Sequence, residues 1–119
     1  MTELEIALAA AKALSDKKAL DLLVLDVAAM TPITDYMVIC TGRVANQVQA
    51  LCDEEEDKLA EQGVLCRKKE GVNDGRWAIL DYGSVLVHVF HSEARQFYKL
   101  ERLWDEGTNR VELPFSTEE

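Results

Sequence analysis

The sequence has few basic residues, no long apolar run and few cysteines, and each shortage argues against a class of function. Its 119 residues include 13 Lys or Arg against 22 Asp or Glu, which gives a net charge of −9. Nonspecific nucleic-acid binding depends on clustered basic side chains, so this charge balance disfavours it. No apolar run approaches the ~20 residues that cross a bilayer, so we expect no membrane span. A basic protein partner suits the chain better.

The three cysteines, Cys40, Cys52 and Cys66, are odd in number, and none has a partner at metal-ligand spacing. We interpret them as small apolar residues in or near the core of a protein from a reducing compartment. The N-terminus carries Glu3 and Glu5, with no basic segment followed by an apolar stretch. We therefore expect a cytoplasmic protein without a targeting segment.

Apolar periodicity predicts a single α/β domain. With 48% apolar residues, the chain can bury an ordinary core. Thr2 and Glu5 form a capping-box pattern at the start of a predicted helix over 3–15. Continuous apolar runs predict buried strands over 21–26 and 36–40 and the start of a third strand at 64–66. With the hairpin described below, these strands and about three helices indicate a sheet of about five strands.

Two further helices are predicted. The longer covers 44–62 and stops at Gly63, a left-handed cap, with an inner stripe of Val44, Val48, Leu51, Cys52 and Leu59. The C-terminal helix covers about 93–105, with Phe97, Leu100, Leu103 and Trp104 facing inward and with Arg95, Tyr98 and Arg102 on a neighbouring exposed stripe. From about Arg110 the chain is predicted to be a poorly ordered polar tail interrupted by Pro114.

A β-hairpin is predicted where two apolar runs flank Tyr82-Gly83. This turn would pair Leu80 with Val85 and Trp77 with His88. Since side chains alternate along a strand, one face would carry small aliphatic residues under the helices. The opposite face would carry larger and mixed residues: Trp77, Ile79, Leu86, His88 and Phe90. If the helices leave that second face open, it is a candidate surface for a partner; otherwise His88 is only an edge histidine of the core.

Catalytic patterns are weak. Neither His88 nor His91 has a local Cys or Ser partner. The acidic run 53–57 could ligate a metal through Asp53 and Asp57 but is typical of a solvated helix face, with Lys58 one turn after Glu54. Thr41-Gly42 precedes a helix and could hold an anion, yet no nearby carboxylate pair would hold Mg²⁺. We expect no enzyme activity, no metal and no cofactor.

Three stretches together resemble one known family. The sequences ITDYMVICTG, GRWAILDYGSVLVHVF and RQFYKLERLW occur in the order found in ribosomal silencing factors, also called Iojap-like proteins. The resemblance covers about residues 3–107, so we expect one domain over 1–107 and a polar tail over 108–119. It implies a mixed α/β domain, with a mixed sheet of about five strands and a nucleotidyltransferase-like shape but without that activity.

The resemblance also implies partners and a mechanism. Such proteins bind ribosomal protein fourteen of the large ribosomal subunit and sterically block joining of the small subunit, which represses translation. Some members act in large-subunit assembly, which is one alternative; a residual nucleotide-binding enzyme is another. We expect little direct rRNA contact and a possible homodimer when the protein is free. The partner-binding residues carried over by motif match are Trp77, Asp81, Tyr82, His88, Arg95, Tyr98 and Leu100.

The roles expected for these residues differ. Trp77 and Tyr98 are the aromatic anchors, and Asp81 and Arg95 orient the contact. Leu103 and Trp104 also match the motif but are expected to be structural. Two positions depart from the family pattern: Ser84 stands where Asp is usual, and Val44 stands where Ser usually follows Thr-Gly. The second departure weakens an anion site at that helix.

Overall fold

The computed structural model describes residues 1–117, and its centre is a mixed five-stranded sheet. The strands lie in the order β1-β2-β5-β4-β3. β2 and β5 are parallel, and every other neighbouring pair is antiparallel. The strands are β1 Leu20–Asp26, β2 Tyr36–Gly42, β3 Lys68–Glu70, β4 Trp77–Asp81 and β5 Val85–His91. The predicted α/β class and mixed sheet are confirmed.

Across residues 1–117, four helices accompany the sheet: α1 Glu3–Asp16, α2 Ala45–Glu61, α3 Ser92–Tyr98 and α4 Glu101–Trp104. The predicted capping box begins α1, with Thr2 and Glu5 each bonded to the other's backbone N–H. The predicted end of α2 is also confirmed, since Gly63 just beyond it has a φ of +84°. Within residues 1–117, no helix has the length and apolar character needed to cross a bilayer.

Helices α1 and α2 cover one face of the sheet. Small side chains on α1, mainly alanines, allow close packing against strand residues such as Val24, Val38, Val87 and Val89. The opposite face is covered in part by α3, α4 and the segment after β1, through Ala94, Leu100, Trp104 and Met30. The helical layers are therefore unequal.

The hairpin has the predicted faces but not the predicted register. Leu80 pairs with Val87 and Trp77 pairs with Phe90, two residues along from the prediction. Gly83, with a φ of +84°, and Ser84 form the turn, since the Tyr82 N–H donates to the Val85 carbonyl at 2.9 Å across it. A shift of two residues keeps each side chain on its predicted face.

Three predicted elements are wrong. Residues 64–66 do not form a strand: β3 begins at Lys68, and Leu65 is 74% exposed. Val44 does not join the inner stripe of α2, since it caps the helix start and is exposed, whereas the other four predicted residues are buried. The helix over 93–105 is broken at Lys99, whose left-handed backbone, with φ of +49°, ends α3.

The C-terminal segment is also closer to the core than a loose tail. Arg110 forms an isolated bridge with Leu25, and the Val111 N–H donates to the Val24 carbonyl at 2.8 Å. Val111, Leu113 and Phe115 pack against the core, and Lys12 of α1 lies over the Phe115 ring, 5.4 Å from its centroid. These alternating apolar side chains explain why the segment packs there. The last two residues of the predicted tail, 118 and 119, lie outside the described residues.

Candidate docking surface

A row of aromatic rings runs from the second sheet face out to the end of α3. His88 and Phe90 on β5 adjoin Trp77 on β4, whose ring centroid lies 4.9 Å from those of both Phe90 and Tyr98. Phe97 meets Tyr98 edge to face at 5.0 Å. We call these five residues the aromatic row. It extends from a fully buried ring, Phe90, to a largely exposed one, Phe97.

The exposed end of the row is apolar. Phe97 is 74% exposed and Tyr98 45%, and Leu103 on α4 is 71% exposed. On the sheet, Trp77, Ile79 and Leu86 are each only partly buried. Large apolar side chains exposed together usually mark a contact site for a partner. The face that the sequence offered as an open surface is thus partly open, and Phe97 and Leu103 were wrongly predicted to face inward.

His88 lies inside the row as a neutral ring. Burial lowers its pKa to about 4, so the imidazole is uncharged near neutral pH. Its Nδ1 accepts a hydrogen bond from the Trp77 indole Nε1–H at 3.2 Å, which fixes the angle between the two rings. That bond assigns the hydrogen to Nε2, and this atom has no partner among the described residues. His88 therefore positions Trp77 and is itself 5% exposed.

Tyr82 is not part of this surface. It lies on the helical side of the sheet, is 6% exposed, and donates its hydroxyl to the carboxyl group of Glu55 on α2. Burial raises the pKa of Glu55 to about 8 and also holds the pKa of Tyr82 above its ordinary value. Both groups are therefore uncharged near neutral pH, and the pair ties α2 to the hairpin. The structure makes Tyr82 a core residue, contrary to its predicted contact role.

Arg95 is also buried rather than exposed. Its guanidinium donates to the Thr41 hydroxyl at 2.9 Å, to the Asp21 carbonyl at 3.1 Å and to the Glu101 carboxylate at 3.1 Å. The break at Lys99 allows Glu101 to reach back to it. Thr41 is thereby occupied, and the α2 start has no side-chain cap at Val44, so nothing supports an anion site there.

The other two predicted residues, Asp81 and Leu100, are not members of the row. Asp81 is half-buried and accepts the Gly83 N–H at 2.7 Å, so it shapes the hairpin turn. Leu100 packs partly under the second face, together with Trp104. The row therefore brings together three of the predicted residues, Trp77, His88 and Tyr98. Asp81, Tyr82 and Arg95 act in the scaffold around it.

Sequence reasoning missed two residues that matter here. Phe97 was placed in the core because the last helix was assumed to be continuous. Glu55 was grouped with a solvated acidic run, although it is completely buried. Its signal was present, since Glu55 falls at helical spacing from Leu51, Cys52 and Leu59 on the buried stripe.

Cys40 and Cys52 are buried and Cys66 is half-buried, all with free thiols. Lys58 pairs with Glu61, not with Glu54.

No described cluster of His, Cys, Asp or Glu could hold a metal ion within residues 1–117.

A five-stranded mixed sheet with two helices on one face and an aromatic row on the other defines a small single-domain α/β protein. A family model described as "Ribosomal silencing factor during starvation" matches residues 1–119. The chain belongs to the ribosomal silencing factor family.

Individual relatives agree with that membership. A ribosomal silencing factor of Bacillus subtilis is 42% identical over 107 residues, which covers 90% of this chain and 91% of the relative. The chloroplastic protein Iojap of Zea mays is 33% identical over 115 residues, covering 97% of this chain and 50% of that protein. A crystal structure of a Chromobacterium violaceum protein matches with a TM-score of 0.86 at 34% identity, covering 98% of this chain and 96% of the other.

Proposed function

We propose that the protein is a noncatalytic translation repressor that binds ribosomal protein fourteen on the large ribosomal subunit and blocks joining of the small subunit. In this proposal it acts in the cytoplasm and makes little contact with rRNA. The observation that carries it is the open apolar end of the aromatic row in a member of the ribosomal silencing factor family. An acidic chain with a net charge of −9 is also suited to a basic ribosomal protein.

The row has the composition of an interface centre. Aromatic residues supply much of the binding energy at protein interfaces, because they bury large areas with few rotatable bonds. Trp77 is fixed by His88, Phe90 and Tyr98, so it loses little freedom on binding. Phe97 and Leu103 present apolar area that gains by leaving water. We assign Trp77, Phe97 and Tyr98 as the contact residues.

Co-sedimentation with purified large subunits tests the docking surface. Phe97→Ala is the sharpest variant, since a ring that is 74% exposed contributes little to folding. Leu65→Ala is its matched control, because Leu65 is equally exposed but lies before β3, away from the row. We expect Phe97→Ala and Tyr98→Ala to weaken binding by about tenfold or more, from roughly 1.5–2 kcal/mol per anchor, and Leu65→Ala to bind like wild type.

Subunit joining is then followed by light scattering on mixing large and small subunits. Wild-type protein should reduce joining, and Phe97→Ala should reduce it much less at the same concentration. Equal binding by Phe97→Ala and wild type would show that another surface docks. Binding without any effect on joining would favour the assembly-factor alternative.

A further inference from the structure

A basic cavity lies beside the docking surface, between the start of β1 and the end of α3. Its volume is about 440 Å³. Four basic side chains line it, together with two acidic ones: Arg95, Lys99, Arg102, Arg110, Asp21 and Glu101. Because Asp105 pairs with Arg110, the lining keeps an excess of one positive charge, in a protein whose net charge is −9. A cavity of opposite sign to the rest of the molecule attracts anions selectively.

Arg95 is a fixed donor in this cavity. Its side chain is 8% exposed, and its Nε and Nη1 atoms are held by Glu101, Thr41 and the Asp21 carbonyl. Its Nη2 atom makes no hydrogen bond to the described residues. A guanidinium that is held on one side offers its remaining N–H groups in a constant direction. This suits hydrogen bonding to the oxygens of a planar carboxylate or a tetrahedral phosphate.

Lys99 and Arg102 supply free charge at the mouth. Neither forms an ion pair within residues 1–117, whereas Arg110 is neutralised by Asp105 at 2.6 Å. Lys99 is placed there by its left-handed backbone, and Asp21 also has a positive φ, of +48°, at the irregularity in β1 between Leu20 and Leu23. Such conformations cost energy and cluster at binding sites. Here the backbone at Asp21 directs its carbonyl toward Arg95, and the backbone at Lys99 places that lysine at the cavity mouth.

We propose that this cavity binds a small molecule that carries a phosphate or diphosphate group. Lys99 and Arg102, which have no ion pair within residues 1–117, supply two positive charges that face a phosphate monoester of about −1.5 to −2 near neutral pH, and the Asp21 carboxylate offsets part of them. The volume lies within the roughly 300–1,000 Å³ of small-molecule sites and exceeds the need of a lone phosphate. Leu22 and Leu23 line one side and offer apolar contact to the rest of the ligand.

Calorimetric titration of the isolated full chain at low salt tests the site, with inorganic pyrophosphate and ADP as probes. We expect both to bind, and Lys99→Gln and Arg102→Gln each to weaken binding about tenfold, the effect of one charge-assisted hydrogen bond. Both side chains are exposed, so these variants should fold. Lys17→Gln is the matched control: this exposed lysine at the end of α1 lies outside the cavity, and its removal should leave affinity unchanged.

Amide chemical shifts give a second readout that does not depend on the variants. Pyrophosphate should move the resonances of Asp21, Leu22 and Gln96 before those of α1 and α2. Absence of binding at millimolar pyrophosphate and ADP would overturn the proposal, and so would an equal loss in Lys17→Gln. Binding of a ten-nucleotide single-stranded RNA that pyrophosphate does not displace, without binding of the two small anions, would also overturn it. Because this assay uses no ribosomes, its result is independent of the docking proposal.

Discussion

The buried pair Glu55–Tyr82 predicts that the protein loses stability as the pH rises through neutrality. Glu55 has no exposed surface, and the Tyr82 hydroxyl is its hydrogen-bond partner. Burial raises the pKa of Glu55 from 4.5 to about 8. In the folded protein the carboxyl group therefore keeps its proton up to about pH 8, whereas in the unfolded chain it loses it near pH 4.5. Folding then requires proton uptake, and it becomes less favourable as the pH increases.

The magnitude follows from the two pKa values, with one correction. Each pH unit between them lowers the free energy of unfolding by about 1.4 kcal/mol. His88 acts in the opposite direction at lower pH, because its pKa falls from 6.5 to about 4 on folding and the unfolded state binds the extra proton. The two effects cancel between about pH 4.5 and 6.5. From pH 6.5 to 8 Glu55 dominates; because unfolded His88 still releases part of its proton and Glu55 itself begins to ionise in this interval, stability should fall by about 1 kcal/mol.

Urea unfolding at intervals from pH 5 to pH 8 measures this effect, in wild type and in Glu55→Gln. The amide of the variant accepts the Tyr82 hydrogen bond and does not titrate, so its stability should not fall above pH 6.5. The stability difference between the two proteins should change by on the order of 4 kcal/mol across the full range, since Glu55 alone distinguishes them. Stopping at pH 8 avoids ionisation of unfolded thiols.

Two outcomes would refute the reasoning. A wild-type free energy of unfolding that stays constant or increases from pH 6.5 to 8 would mean that Glu55 is ionised in the folded state. An equally steep fall in Glu55→Gln would assign the pH dependence to other groups, such as repulsion among the exposed carboxylates. A Tyr82→Phe variant separates the partners further: it should lose about 1–3 kcal/mol at pH 6 because the buried carboxyl group loses its donor.

Two further predictions concern the scaffold. Gly71→Ala should destabilise the protein by at least ~3 kcal/mol, because its φ is +75° and a Cβ would lie 2.1 Å from the Trp77 carbonyl oxygen. Gly63→Ala is the control: its φ is also positive, at +84°, but a Cβ would meet nothing within 4 Å, so it should cost only about 1 kcal/mol. Equal losses of stability in urea unfolding would contradict the clash at Gly71. Deleting residues 110–119 should lower the free energy of unfolding by roughly 2–4 kcal/mol. The segment contributes the β-bridge between Arg110 and Leu25 and three packed apolar side chains, Val111, Leu113 and Phe115. An unchanged melting temperature would mean that this packing contributes nothing to stability.

The part of the fold that was predictable from sequence is the part set by local pattern. Alternation along β4 and β5 assigned each side chain to the correct face, and the faces survived a wrong register because the error was two residues. The capping box and Gly63 identified helix ends through backbone preferences that depend on a few neighbouring residues. The motif match supplied the family, which no periodicity could have given.

The part that failed depends on contacts between distant segments. Nothing local marks Lys99 as left-handed, and a lysine there is consistent with a continuous helix; the conformation is favoured by the Arg95–Glu101 pair and by the packing of Leu100 and Trp104. The burial of Arg95 requires Thr41 and Asp21, which are 54 and 74 residues away in the chain. The docking surface was therefore half predictable: its sheet residues follow from alternation, but Phe97 does not.

The same break at Lys99 creates both proposed surfaces and separates them. A continuous helix was expected to direct Phe97 and Leu103 inward, whereas with the break at Lys99 both are exposed and Phe97 lies against Tyr98. It also brings Glu101 back onto Arg95 and leaves Lys99 and Arg102 at the cavity. One surface is apolar and belongs to an acidic protein that suits a basic partner; the other is cationic and would repel that partner. The two should therefore respond to different changes: Phe97→Ala weakens ribosome binding and spares pyrophosphate binding, while Arg102→Gln does the reverse.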